Sequence, residues 1–194
     1  MDVRKPYDID SLTDVALRVF AERGYDGATM DDVARAAGIT KAGIYHHISG
    51  KEALLGRGLE RALTALQAIL DEPGANRGSA AERVRVIVRR VAETACSLLP
   101  ELTVLFRLKA TSPATESALE RRRAFDRRVA RLIAQAQAAG ELSSAIEPGL
   151  ATRLIFGTSN SIVEWYRPGG TLTAGQLAGA IETLLFEGLG PAKS

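Results

Sequence analysis

Cysteine, histidine and aromatic residues are scarce in this chain of 194 residues. The one cysteine, Cys96, excludes an internal disulfide framework and a cysteine zinc cluster. Its apolar helical surroundings predict a small buried side chain. The two histidines, His46 and His47, are adjacent. Neighbouring helical residues point about 100° apart, so this pair is badly placed to chelate one ion, and no third histidine exists to complete a zinc site or a catalytic triad. A Gly-rich phosphate loop and an activated nucleophile are also missing, so no catalytic residue, metal ligand or cofactor is assigned and an enzyme is not expected. No apolar run approaches the roughly 18 residues of a membrane span. MDVRKPYDID at the start has no apolar stretch behind its charges, so it is not read as a secretory signal. A soluble, cytoplasmic chain with no membrane partner is expected.

A large excess of one charge is absent too. The net charge is +2, and residues 1–50 hold six Lys or Arg against eight Asp or Glu. The local distribution says more. Between Val33 and Lys51 there is no acidic residue, while Arg35, Lys41 and Lys51 are basic. Such a basic face on an acidic module is compatible with phosphate contact.

What the chain has in plenty is alanine, leucine and arginine, with apolar residues at helical spacing. Hydrophobic residues make up 46%, enough for a substantial core. An all-α fold of about nine helices follows. The first covers about Asp10–Arg23, with a stripe of Leu12, Val15, Ala16, Val19 and Phe20 and a stop at Gly24. The second starts at Thr29, paired with Asp32 in capping-box spacing. The third runs from Lys41 to about Ile48 behind Thr40, and the fourth from Lys51 to about Leu70. DEPGANRGS (71–79) reads as the clearest loop. A fifth helix is expected at about Ala80–Leu99, and a sixth opens at Pro100. The seventh runs from Ser112-Pro113 to near Gly140, and the eighth from Pro148 to about Tyr166. The ninth is capped by Thr173 and Gln176 and reaches about Glu187.

The second and third helices, joined through Gly38, have the form of a helix-turn-helix. Ala36 and Ala37 are small enough for close approach, Gly38 suits the turn, and Ile39 is expected to plug the space between the helices. Lys41, Ala42, Gly43, Tyr45 and His46 then face outward. Gly43 is costly inside a helix and fits a backbone that must approach another surface.

TMDDVARAAGITKAGIYHHISGKEALL (29–55) resembles the DNA-binding signature of the TetR family, over roughly residues 8–55. Ile48 stands where that family usually has Phe, a core difference. The resemblance implies a helix-turn-helix DNA-binding domain over residues 1–50 and a ligand-binding and dimerisation domain over 51–194. It implies a phosphate at Thr29 and the following amides, with Thr40, Lys41, Ala42 and Gly43 in the major groove. Tyr45 and His46 would stand at the groove wall, and Lys51 near a backbone phosphate. Thr29 and Thr40 serve as helix caps in any case, Lys41 and Lys51 are also compatible with plain solvation, and Tyr45 with half-buried packing.

The same resemblance implies a palindromic double-stranded operator bound by a homodimer, and release by a small ligand. It places the dimer interface on the last two helices, at Ile155, Ile162, Leu177, Ile181, Leu184 and Leu185, where intramolecular core is the alternative. The ligand pocket would draw on Leu63, Leu66, Val91, Leu105, Phe106, Leu108, Leu132 and Phe156. Residues 154–189 resemble a TetR subgroup that regulates lipid, steroid or aromatic-acid breakdown, which implies an apolar or acyl-CoA-like ligand. Arg121, Arg122, Arg123, Arg127, Arg128 and Arg131, with Arg107 and Lys109, would then meet CoA phosphates. A solvated face with partners such as Glu120 and Asp126 is the other reading of that run. An activator or a regulator without a ligand is the functional alternative.

Overall fold

The computed structural model describes residues 8–189, so residues 1–7, read above for a leader, lie outside the described residues. Ten helices and no strand are found among them. The all-helical expectation therefore holds, with one helix more than the periodicity suggested. No helix among the described residues is long and apolar enough to cross a membrane. The chain forms two compact units. One comprises the residues up to Ala62 together with Pro100–Ala118. The other comprises Leu63–Leu99 together with the residues from Leu119 onward.

The first unit is built on α1 (Ile9–Arg23). Asp8 opens it, its carboxylate accepting the Ser11 N–H at 2.7 Å. Gly24 closes it at φ 76°, a value that costs glycine little. The apolar stripe is buried as expected, together with Leu17 and Thr13. Each large apolar side chain sequestered in this way is worth about 1.5–3 kcal/mol. Next come α2 (Met30–Ala37) and α3 (Lys41–Tyr45), followed by α4 (Lys51–Asp71). Gly58 of α4 lies against Leu17 of α1, so closely that a Cβ would fall inside 3 Å of Leu17 Cδ2. Ion pairs fasten the same two helices. Arg57 reaches Asp10 at 2.7 Å, and Arg61 reaches Asp10 at 2.9 Å and also Asp14. The two guanidinium groups, Arg57 first, hold the Asp10 carboxyl below its usual range. This unit also takes in α7 (Leu99–Phe106), whose Arg107 flank donates to the Ala21 carbonyl at 3.0 Å.

The second unit is centred on α6 (Ala80–Ser97), opened by a Ser79–Glu82 capping box. Val84, Ile87, Val88, Val91, Ala92 and Ala95 form its buried face. Against it pack α5 (Pro73–Asn76), α9 (Pro148–Trp165) and α10 (Ala174–Phe186). Arg89 pairs with Glu182 at 3.1 Å across the α6–α10 contact. The remaining helix, α8 (Pro113–Ala138), brings Phe125 to 5.5 Å from Phe156, ring centre to ring centre. Burial pushes the Cys96 thiol up, as suits a small buried side chain and not a reactive thiolate.

Several expectations are corrected. The supposed loop at 71–79 contains the single turn α5, opened by Pro73. Its composition is that of a turn, and one helical turn is too short to leave a periodic pattern. The helix after α6 begins at Leu99, one residue before Pro100. The third helix ends at Tyr45 instead of Ile48, because the amide of His47 bonds back to Ile44 in a tighter turn. Ile44 is fully buried, whereas Ile39 is half-buried and Ala36 is exposed.

Candidate nucleic-acid interface

The helix-turn-helix is defined by its caps. Thr29 Oγ1 accepts the Asp32 N–H at 3.2 Å, while the Asp32 carboxylate accepts the Thr29 N–H at 3.0 Å and its hydroxyl at 2.7 Å. Those bonds hold the Asp32 carboxyl below its ordinary range. Arg23 and Arg35 flank the same carboxylate at 3.2 and 3.3 Å. At the other end of α2, Gly38 takes the left-handed conformation, φ 67° and ψ 28°. The Ile39 N–H then reaches back to the Ala34 carbonyl at 3.1 Å. This closure satisfies orphan carbonyls that would otherwise need water.

Thr40 starts α3, its hydroxyl oxygen accepting the Gly43 N–H at 3.1 Å. A Cβ on Gly43 would lie 3.3 Å from that oxygen, so the glycine also leaves room for the cap. Five residues are too few for an independent helix. Ile44 anchors α3 inward, and Lys41, Ala42, Tyr45 and His46 are left exposed on its outer side, Tyr45 at 49%. Thr29 and Thr40 are exposed beside them, and Gly43 is half-buried. All of the expected contact residues of α3, with both caps, thus belong to one small helical module.

Two features were not visible in the sequence. Lys41 is engaged by Asp31 of α2 at 2.9 Å, and this carboxylate raises the ammonium pKa. A contact ten residues away leaves no local spacing signal. The Lys51 ammonium lies 4.2 Å from the Tyr25 ring centre and 6.0 Å from that of Phe20. Burial lowers its pKa. Lys51 therefore fastens the start of α4 to the end of α1 by a cation–π contact, worth about 0.5–2 kcal/mol. Tyr25 in turn meets Phe20 edge-on at 5.3 Å.

The other expected site residues are distributed as follows. Leu63, Leu66, Val91, Leu132 and Phe156 are buried in the second unit. Leu105, also buried, and the half-buried Phe106 and Leu108 belong to the first. Of the residues expected at an interface, Ile162, Leu177 and Ile181 are buried within the second unit, on helices that pack against α6. Ile155 and Leu185 are half-buried, and Leu184 is 41% exposed. Leu150, Leu154 and Trp165 of α9 are large apolar groups, each about half exposed.

Residues 12–57 match the bacterial regulatory proteins of the tetR family, and residues 77–189 match the tetracyclin repressor-like C-terminal domain. The crystal structure of a TetR transcriptional regulator family member from Streptomyces coelicolor A3 is 46% identical, with a TM-score of 0.88 over 98% of this chain and 96% of that one. A ketosteroid transcriptional regulator of Mycobacterium tuberculosis is 25% identical, with a TM-score of 0.80 over 93% of each chain. AibR in complex with isovaleryl coenzyme A and operator DNA is also 25% identical, with a TM-score of 0.76 over 92% of this chain and 97% of that one. IcaR of Staphylococcus epidermidis, a negative transcriptional regulator of a biofilm operon, is 39% identical over 51 residues. That stretch is 26% of this chain and spans only 28% of IcaR. The chain belongs to the TetR family of bacterial transcriptional regulators.

Proposed function

We propose that the protein is a cytoplasmic repressor that binds a palindromic operator as a homodimer and leaves it when a small ligand binds. The observation that carries this reading is the exposed row Lys41, Ala42, Tyr45 and His46 on a short helix anchored by Ile44 and capped by Thr40. Small Ala42 and Gly43 let that helix approach base edges closely, while Lys41, Tyr45 and His46 suit phosphates at the groove wall. Thr29 and the amides behind it suit a phosphate at the start of α2. Lys51 adds positive potential near the duplex while remaining packed on Tyr25. One such helix per chain needs a two-fold partner to read a palindrome. Leu150, Leu154, Trp165 and Leu184 supply the exposed apolar surface for that partner on α9 and α10.

The functional division lies near residue 50, with DNA contact before it and ligand binding and dimerisation after it. An apolar or acyl-CoA-like ligand would be held by the apolar side chains of the second unit, among them Leu63, Leu66, Val91, Leu132 and Phe156. The likeness to AibR, whose structure holds isovaleryl coenzyme A and operator DNA, supports this ligand class. The likeness to IcaR supports negative control. Helix α4 supplies the linkage, since one continuous helix carries Lys51 at its start and Leu66 near its end. A ligand reverses DNA binding only through its different affinities for the DNA-bound and free conformations. The test is selection of bound duplexes from a random pool, followed by release with isovaleryl, long-chain, steroid-derived and aromatic acyl-CoAs beside their free acids. An enriched inverted repeat that is released by one of these is the expected result. Failure to enrich any sequence overturns the DNA reading, and failure of every compound to release it overturns the ligand reading.

A further inference from the structure

Several arginines of the second unit have acidic partners. Arg85 and Arg89 meet Glu182, Arg90 meets Glu72 and Glu93, and Arg123 and Arg127 meet Glu120. Three that have none among the described residues share one place. Arg83, Arg128 and Arg131 line a hollow of about 200 Å³, together with Gln135 and the apolar side chains of Leu70, Ala75, Ile87 and Leu132. No carboxylate lines it.

The arginines are partly positioned. Arg83 Nε donates to the Ala75 carbonyl at 3.0 Å, and Arg128 to the Leu70 carbonyl at 3.4 Å. Each of these bonds uses one of the five N–H donors of a guanidinium and leaves the others available. Three like charges around one small concavity repel one another, and an anion between them would relieve that repulsion and satisfy forked donors. The volume lies below the roughly 300 Å³ at which whole-ligand pockets begin, so the hollow suits a head group or a small anion. Its concavity disfavours an extended polyanion such as a duplex.

We propose that this hollow is an oxyanion site, taking a phosphoryl or carboxylate group on Arg83, Arg128 and Arg131, with the adjoining apolar lining available to the first carbons of the molecule that bears it. The site stands on its own geometry. Its consequence for DNA rests on the sensor reading above.

The experiment titrates the full chain with pyrophosphate, orthophosphate and butyrate at fixed ionic strength, with chloride as control, by calorimetry and thermal melting. Saturable binding of at least one of them, with a raised Tm, is expected. Preference for the phosphates or for butyrate identifies the source of the oxyanion. Arg131→Gln should weaken binding about tenfold, equivalent to about 1.4 kcal/mol. Arg131→Lys should recover part of it, because the charge remains while the fork is lost. Arg121→Gln, on the same helix but outside the hollow, should bind like the original protein. The exposure of Arg131 keeps these substitutions compatible with folding, which the ligand-free melts will register. Three anions that all behave like chloride, or unaltered binding by Arg131→Gln, would overturn the proposal. Anion binding that leaves the operator complex intact keeps the site and counts against the sensor. Release of DNA by an uncharged ester, with no anion binding, does the reverse.

Discussion

Replacing Gly58 with alanine tests how closely α1 and α4 must approach. In an open helix, Gly→Ala gains about 0.8–1 kcal/mol of helix propensity. At position 58 the new methyl would intrude on Leu17, inside 3 Å of Cδ2 and at 3.0 Å from both Cδ1 and Cγ. Leu17 is 0% exposed, so pushing it aside costs overpacking of about 1–3 kcal/mol. With Arg57 and Arg61 pinning the helices beside it, the net expected change is a loss of up to about 2 kcal/mol. For a chain of this size that is a fall in Tm of up to about 8 °C. Gly56 is the internal control. It lies on the same helix, is exposed and has nothing within 4 Å of a built Cβ. Gly56→Ala should therefore raise the Tm. In a Leu17→Ala background the clash disappears, and Gly58→Ala should stabilise. Thermal melts followed by circular dichroism measure these proteins side by side. If Gly58→Ala stabilises as much as Gly56→Ala, the close approach of α1 and α4 is refuted.

Three further outcomes are expected. Asp31→Asn frees Lys41 and removes a negative charge beside the DNA-facing helix, so operator affinity should rise, by up to about fivefold for an exposed pair; fluorescence anisotropy at low salt measures it, and an unchanged affinity would separate Lys41 from DNA contact. The lowered Asp32 pKa means that its capping contribution is present above the ordinary carboxylate value of about 4 and is lost as pH falls through the lower folded value. Asp32→Asn keeps an acceptor for the Thr29 N–H but does not titrate, so its stability difference from the original protein should shrink between about pH 5 and pH 2, as read from urea midpoints. Leu184→Arg places a charge on the exposed apolar surface of α10 and should give a folded monomer in sedimentation, whereas a normal dimer would move the interface elsewhere.

The features legible in the sequence were those with local causes. Thr29 with Asp32, Thr40, Gly38, Gly24 and Thr173 with Gln176 each satisfy backbone groups within a few residues, and the structure has every one of these caps and turns. The α1 stripe was legible because one face of that helix is buried. Local pattern failed where two explanations share one period. On α9 and α10 an apolar residue at helical spacing serves either a core or an interface. Burial assigns Ile162, Leu177 and Ile181 to the core, while Leu150, Leu154 and Trp165 are left exposed by packing that spacing alone does not reveal. The arginine run on α8 was legible in part. Arg123 and Arg127 pair with Glu120, a partner that the spacing offered, while Arg128 and Arg131 share a hollow with Arg83, which is distant in sequence. The pairing of Lys41 with Asp31 and the seat of Lys51 on Tyr25 are likewise products of folding that no spacing rule encodes.

The central claim is that α3 carries the DNA contact, and a salt titration of operator binding tests it most directly. Removing one phosphate-binding side chain should reduce the slope of log K against log salt by about 0.9. Lys41→Ala should show that reduction and bind more weakly at every salt concentration, and Tyr45→Phe should also weaken binding, with the melting curves of both proteins unchanged. Salt dependences for both variants that coincide with that of the original protein would contradict the assignment of α3 as the DNA-reading helix.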